Sequence, residues 1–204
     1  MTTPYARKRD SGEIYGYTLP EIEPINNVRL TLTSFVTCWH ANDAESAAMW
    51  RLYAHERRGV AIVSDVRGLE KSVDTSPFAW GILGPVEYFD YDQDDMSDDF
   101  GLTGRPGFSK RKAFEYEREV RGLVHVQQFP KNPNDIFTEA HLSYLRQETQ
   151  RGVAAGVNLP GLIHEIVVAP DCEPWFLDLV RRLATKYALG QRVRPSKLNG
   201  VPVY

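Results

Sequence analysis

Cysteine is scarce in this chain of 204 residues: only Cys38 and Cys172 occur, in unrelated contexts. They form no CxxC pair, which excludes a thioredoxin-like motif and a clustered zinc site, and leaves two reduced thiols in a cytoplasmic protein as the expected state. Long apolar runs are missing too. Nothing approaches the roughly 18 consecutive apolar residues of a membrane span. Met1 to Asp10 is polar and basic without an apolar core, so no secretory signal is expected. Charge of one sign is also lacking, with 24 Lys plus Arg against 27 Asp plus Glu and a formal net charge of −3. That balance argues against a nucleic-acid binder held by a generally basic surface. The common signatures GxGxxG, GxxxxGK[ST], HExxH and GxSxG are absent. His40, His55, His125, His141 and His164 are scattered, with no local pair spaced to hold a metal, so no metal site is expected.

What is present is ordinary for one large domain: 42% apolar, 25% charged and 11% aromatic residues. Residues 1–27 lack periodicity and read as an irregular arm, leaving 28–204 as a single globular domain. Val28 to Trp39 is rich in β-branched and aromatic residues and predicts a strand. Asn42 with Glu45 three residues later predicts a capping box for a helix over 43–57, closed by Gly59. Val60 to Ser64 predicts a short strand, and Val86 to Tyr91 another. Residues 92–109 predict a loop, with an acidic block over 87–99 followed by basic residues from Arg105 to Lys112. A short helix is expected over Lys110 to Glu117 and a strand over Glu119 to Gln127. Pro130 to Asp135 predicts a turn, Glu139 to Arg151 a helix and Gly152 to Leu159 a weak strand. Leu162 to Ala169 predicts a strand. Pro174 to Ala188 predicts a helix with Phe176, Leu179, Val180, Leu183 and Tyr187 on one stripe. Gln191 to Leu198 closes the series as a strand. The expected fold is α/β or α+β, a single domain with a mixed sheet of about six strands flanked by helices.

Two stretches carry the candidate chemistry. In the first, Trp50 and Tyr53 share a helix face, where they serve either as core or as a platform for an aromatic ring. The second runs from Lys110 through Lys112, Glu117 and Glu119 to Arg121. Alternation along a strand points Glu119 and Arg121 the same way. They are expected either to share a cleft or to form a surface ion pair worth at most ~1 kcal/mol.

Four pieces taken together resemble the bacterial domain-of-unknown-function 2971 family: CWHANDAESAAMWRLYAHERRGVAI (Cys38–Ile62), KRKAFEYEREVR (Lys110–Arg121), LIHEIVVAPDCEPWF (Leu162–Phe176) and PSKLNGVPVY (Pro195–Tyr204). They follow the family's order and cover most of the chain beyond residue 34. Members usually carry a longer N-terminal section that nothing before Cys38 matches, so a shortened form is expected.

A further likeness, of layout only, is to ADP-ribosyltransferase-like proteins. It implies an NAD- or nucleotide-binding enzyme, with NAD as substrate rather than bound cofactor. Glu119 would be the catalytic acid and Glu117 the preceding one. Trp50 or Tyr53 would stack on nicotinamide, and Arg121 and Lys112 would contact substrate. Arg29 is the one plausible basic residue of the first strand. The alternative is a non-catalytic interaction module, phage- or defence-associated. Nucleic-acid contact through Lys110–Lys112 and Arg118, supported by Arg192 and Arg194, is a third reading.

Overall fold

The computed structural model describes residues 7–8, 14–15, 28–90, 107–126, 138–148 and 152–199. Within the expected irregular arm, β1 (Arg7–Lys8) pairs antiparallel with β2 (Ile14–Tyr15). The strand expected over 28–39 is two elements. Residues 28–33 are helical (α1), and β3 spans Ser34–His40. Thr33 closes α1 by donating its hydroxyl to the Arg29 carbonyl one turn back, at 2.8 Å.

The next helix is shorter than the expected 43–57. α2 is Ala47–Tyr53, followed by a 3-10 turn at His55–Arg57. Its cap is Ser46, whose hydroxyl accepts from the Met49 amide, and not the predicted Asn42–Glu45 box. Glu45 is drawn away by distant partners described below. Gly59 has a packing role rather than the predicted capping one, since a Cβ there would sit 2.3 Å from the Ala54 Cβ.

β4 (Val60–Val63) matches its expectation, and α3 (Val66–Ser72) follows, capped by Asp65, whose carboxylate accepts from the Gly68 amide at 2.6 Å. β5 (Trp80–Pro85) was not predicted, and β6 is Glu87–Phe89. Of the expected acidic loop, 91–106 lies outside the described residues, as do the 130–135 turn and the end of the 139–151 helix. The helix predicted over Lys110–Glu117 is instead strand β7 (Ser109–Arg111), paired parallel to β6, and a 3-10 segment over Lys112–Glu117.

β8 (Glu119–His125) and α4 (Glu139–Glu148) fall where expected. The weak strand at 152–159 reduces to an isolated bridge between Val73 and Val157, followed by the short helix α5 (Leu159–Leu162). β9 (Glu165–Val168), α6 (Pro174–Thr185) and β10 (Val193–Pro195) follow, the last being all that forms of the strand expected over Gln191–Leu198, with 3-10 turns at Gly190–Arg192 and Lys197–Asn199 on either side.

The fold is mixed α+β, but the expected single sheet of about six strands is divided. One three-stranded sheet runs β3-β8-β5, all antiparallel, and the other runs β10-β9-β4, with β10 parallel and β4 antiparallel to β9. The main core lies against the second sheet: Leu69, Leu162, Ile166, Val168, Val180 and Ala184 form its centre, with Trp39 and Leu83 of the first sheet packed on its margin. Each fully buried aliphatic side chain contributes about 1.5–3 kcal/mol. α6 is rotated from its predicted stripe. It buries Val180 and Ala184, while Leu179, Leu183 and Tyr187 are about half exposed. Among the described residues no helix is long and apolar enough to cross a membrane.

Candidate functional site

The antiparallel register of the first sheet sets His40 of β3 directly opposite Glu119 of β8, and Cys38 opposite Arg121. Opposed residues share a face, so His40, Cys38, Glu119 and Arg121 form one row. Just before β8, Arg118 adopts the left-handed conformation (φ 42°, ψ 55°). This single residue reverses the pleat, and the side chains on either side of it meet the same cation. The Lys110 ammonium lies 2.5 Å from Glu117 Oε2 and 3.1 Å from Glu119 Oε1, and 4.7 Å from the centre of the Phe114 ring. Arg121 completes the cluster. Its Nε donates to Glu119 Oε2 at 2.7 Å, and its Nη1 donates to the Gly107 carbonyl at 2.6 Å.

Both carboxylates are buried, Glu117 at 6% and Glu119 at 8% exposure, so the expected surface ion pair is a buried network. Desolvation would raise the Glu119 carboxyl; the hydrogen bond from Lys110 and the charge and hydrogen bond of Arg121 outweigh it and hold the group below its ordinary value. Burial likewise would lower Lys110, and its two carboxylate partners raise it instead. Glu119 is therefore ionised at neutral pH. Its backbone is fixed as well, because its amide donates to the Tyr88 hydroxyl at 2.7 Å and its carbonyl accepts from Val86.

His40 adds a polarised group that the sequence reading passed over. Its Nδ1 lies 2.6 Å from the Glu117 carbonyl oxygen, which can only accept. Nδ1 therefore donates this hydrogen bond. The ring's Nε2 is buried and has no hydrogen-bond partner among the described residues.

The predicted site residues divide. Glu117, Glu119 and Arg121 come together. Tyr53 stands beside them, exposed, with its phenol raised by desolvation and then by the Glu117 charge. Lys112 lies exposed on the 3-10 segment, and Lys110 occupies the position between the carboxylates.

Trp50 turns to a second cluster, where its indole N–H donates to Glu45 Oε2 at 3.2 Å. There Glu45 also accepts from Arg194 Nη1 at 2.8 Å, the Ser196 hydroxyl at 2.5 Å and the Lys197 amide at 3.0 Å. Desolvation opposes ionisation of Glu45, yet the bonds from Arg194, Lys197, Ser196 and Trp50 bring its carboxyl down to about 2. Arg194 in turn holds Glu165 at 2.7 Å.

Arg29, the expected first-strand residue, lies in α1 and not in a strand. The basic residues proposed for nucleic acid are largely engaged internally: Lys110 and Arg194 by carboxylates, and Arg192 by the Pro160 and Ile163 carbonyls. Among the described residues no group of three His, Cys, Asp or Glu side chains is placed to hold a metal. No family model, curated protein or solved structure matches the chain.

Proposed function

We propose that the protein belongs to the bacterial domain-of-unknown-function 2971 family and is an NAD- or nucleotide-binding, ADP-ribosyltransferase-like enzyme acting at the Glu119 cluster. The observation that carries this reading is the left-handed Arg118, which sets two buried carboxylates on one ammonium opposite a histidine whose buried Nε2 has no hydrogen-bond partner among the described residues. Strained backbone and buried, mutually perturbed charges recur at functional sites because each costs stability where a core would serve better. His40 fills the first-strand role for which Arg29 was the expectation.

In this reading the ionised Glu119 accepts from a ribose hydroxyl and stabilises the positive charge that grows on the anomeric carbon. The bond to nicotinamide breaks with both electrons leaving on the ring nitrogen. An acceptor nucleophile bonds to the anomeric carbon as its proton passes to His40 Nε2. Tyr53 offers an exposed face for the nicotinamide ring. A cytoplasmic location, where two unbridged cysteines would stay reduced, is part of this reading.

Release of nicotinamide from NAD, with water as acceptor, tests the reading. Wild type is expected to release it, and Glu119→Gln to lose the activity by at least a hundredfold, in the range of an electrostatic catalytic group. Tyr53→Ala, altering an exposed side chain, is expected to weaken binding while the fold persists. No release by wild type, or undiminished release by Glu119→Gln, would overturn it.

One observation favours a second reading, the non-catalytic interaction module. Both Glu119 oxygens are already engaged, Oε1 by Lys110 and Oε2 by Arg121. In that case Glu119→Gln lowers stability and nothing else.

A further inference from the structure

The face of the β3-β8-β5 sheet opposite Glu119 holds a separate cavity of about 360 Å³. Two glycines lie in its floor. Gly122 of the central strand is paired with Thr37 on one side and Leu83 on the other, and Gly81 of β5 is paired with Val124. A Cβ at Gly122 would lie 3.1 Å from the Thr37 methyl, and one at Gly81 would lie 2.9 Å from the Thr75 methyl. The two glycines therefore let the Thr37 and Thr75 methyls come close against the strands, and methyl and backbone together make the floor. Phe35, Leu83 and Val124 wall the floor, and Leu69 and Val73 of the α3 region close the other side together with Val153 and Ala155. The size falls at the small end of the roughly 300–1,000 Å³ typical of ligand sites.

The lining is mostly apolar, and its one charged member is Glu70. That residue is exposed on α3 and makes no ion pair among the described residues. An apolar pocket with a single unpaired carboxylate on its wall complements an amphiphile of opposite charge. We propose that this cavity binds a small primary amine with an apolar aliphatic or aryl body, the ammonium paired with Glu70 and the body laid on the Gly81–Gly122 floor. The site shares no residue with the Glu119 cluster, and its occupancy does not depend on the transferase reading.

The probe is N-phenylnaphthylamine, an uncharged dye that fluoresces on entering apolar sites. Saturable, blue-shifted fluorescence with one dye per chain is expected. Hexylamine should displace the dye at a concentration roughly tenfold below that of hexanoate, a difference of ~1.4 kcal/mol. Glu70→Gln, on an exposed side chain, should remove that preference and leave dye binding intact. Gly122→Leu fills the floor directly, and Ala155→Trp blocks the wall should the first variant fail to fold; dye binding should be lost in whichever folds. The proposal is overturned by absent dye binding, by binding that survives the blocking substitution, or by hexanoate displacing the dye as well as hexylamine.

Discussion

Arg118 is the residue on which the Glu119 cluster turns. A left-handed backbone at a non-glycine residue costs roughly 1–2 kcal/mol, and here it brings Glu117 and Glu119 to one side of the chain. Glycine adopts φ 42° freely, so Arg118→Gly is expected to leave stability unchanged or raise it by up to about 1 kcal/mol. Arg118→Val, whose branched side chain resists this conformation, should cost about 1–3 kcal/mol. Urea unfolding of the two variants distinguishes backbone strain from the loss of a charge, which both share.

Carboxylates also set the acid limit of the fold. Glu45 and Glu119 both have folded-state values below their ordinary ones. Groups of this kind stabilise the native state above the unfolded value and lose that contribution as pH falls through the folded value. For Glu45 the window runs from the ordinary 4.5 down to about 2. Its contribution is on the order of 2–3 kcal/mol, allowing for partial exposure. Unfolding free energy is expected to fall steadily with pH across this window, and Glu45→Gln should flatten the slope; an unaltered slope in the variant contradicts the assignment.

At the scale of elements, the start of α2 depends on Ser46, so Ser46→Ala should cost about 1 kcal/mol while Asn42→Ala stays within ~0.5 kcal/mol. The strip at 107–108 lies against the first sheet because Gly107 lacks a side chain: a Cβ there would stand 2.1 Å from Leu123 Cδ1, and the adjacent Phe108 is 1% exposed. Gly107→Ala should therefore cost about 1–3 kcal/mol by overpacking. It should also disturb Arg121, which donates to the Gly107 carbonyl. Differential scanning calorimetry measures the first effect, and a change in the pH dependence of stability reports the second.

Over the whole molecule, local pattern revealed most elements but not their assembly. The apolar run of β9 and the Glu119–His125 alternation were readable because burial on one or both faces writes period into sequence. The division into two sheets was not, since it depends on which strands pair across long separations. Lys112 is the expected substrate contact, whereas Lys110 is the residue that sits between the carboxylates, because β7 forms at Ser109–Arg111 where a helix is expected. Trp50 was diverted by Glu45, whose carboxylate is held by Arg194 across 149 positions of chain. His40 lies one residue beyond the expected strand and is one of five scattered histidines in the sequence; only the β3–β8 register places it across from Glu119. Glu117 and Glu119, by contrast, come from the likeness of layout to ADP-ribosyltransferases, and both contact Lys110.

The central claim is that this convergence forms a nucleotide site with Tyr53 as its aromatic wall. Thermal unfolding with and without millimolar NAD tests it most directly, because a ligand binding only the native state raises Tm by mass action. A concentration-dependent rise in wild type that disappears in Tyr53→Ala is the predicted result. An unchanged Tm in wild type, or an equal rise in Tyr53→Ala, would contradict it.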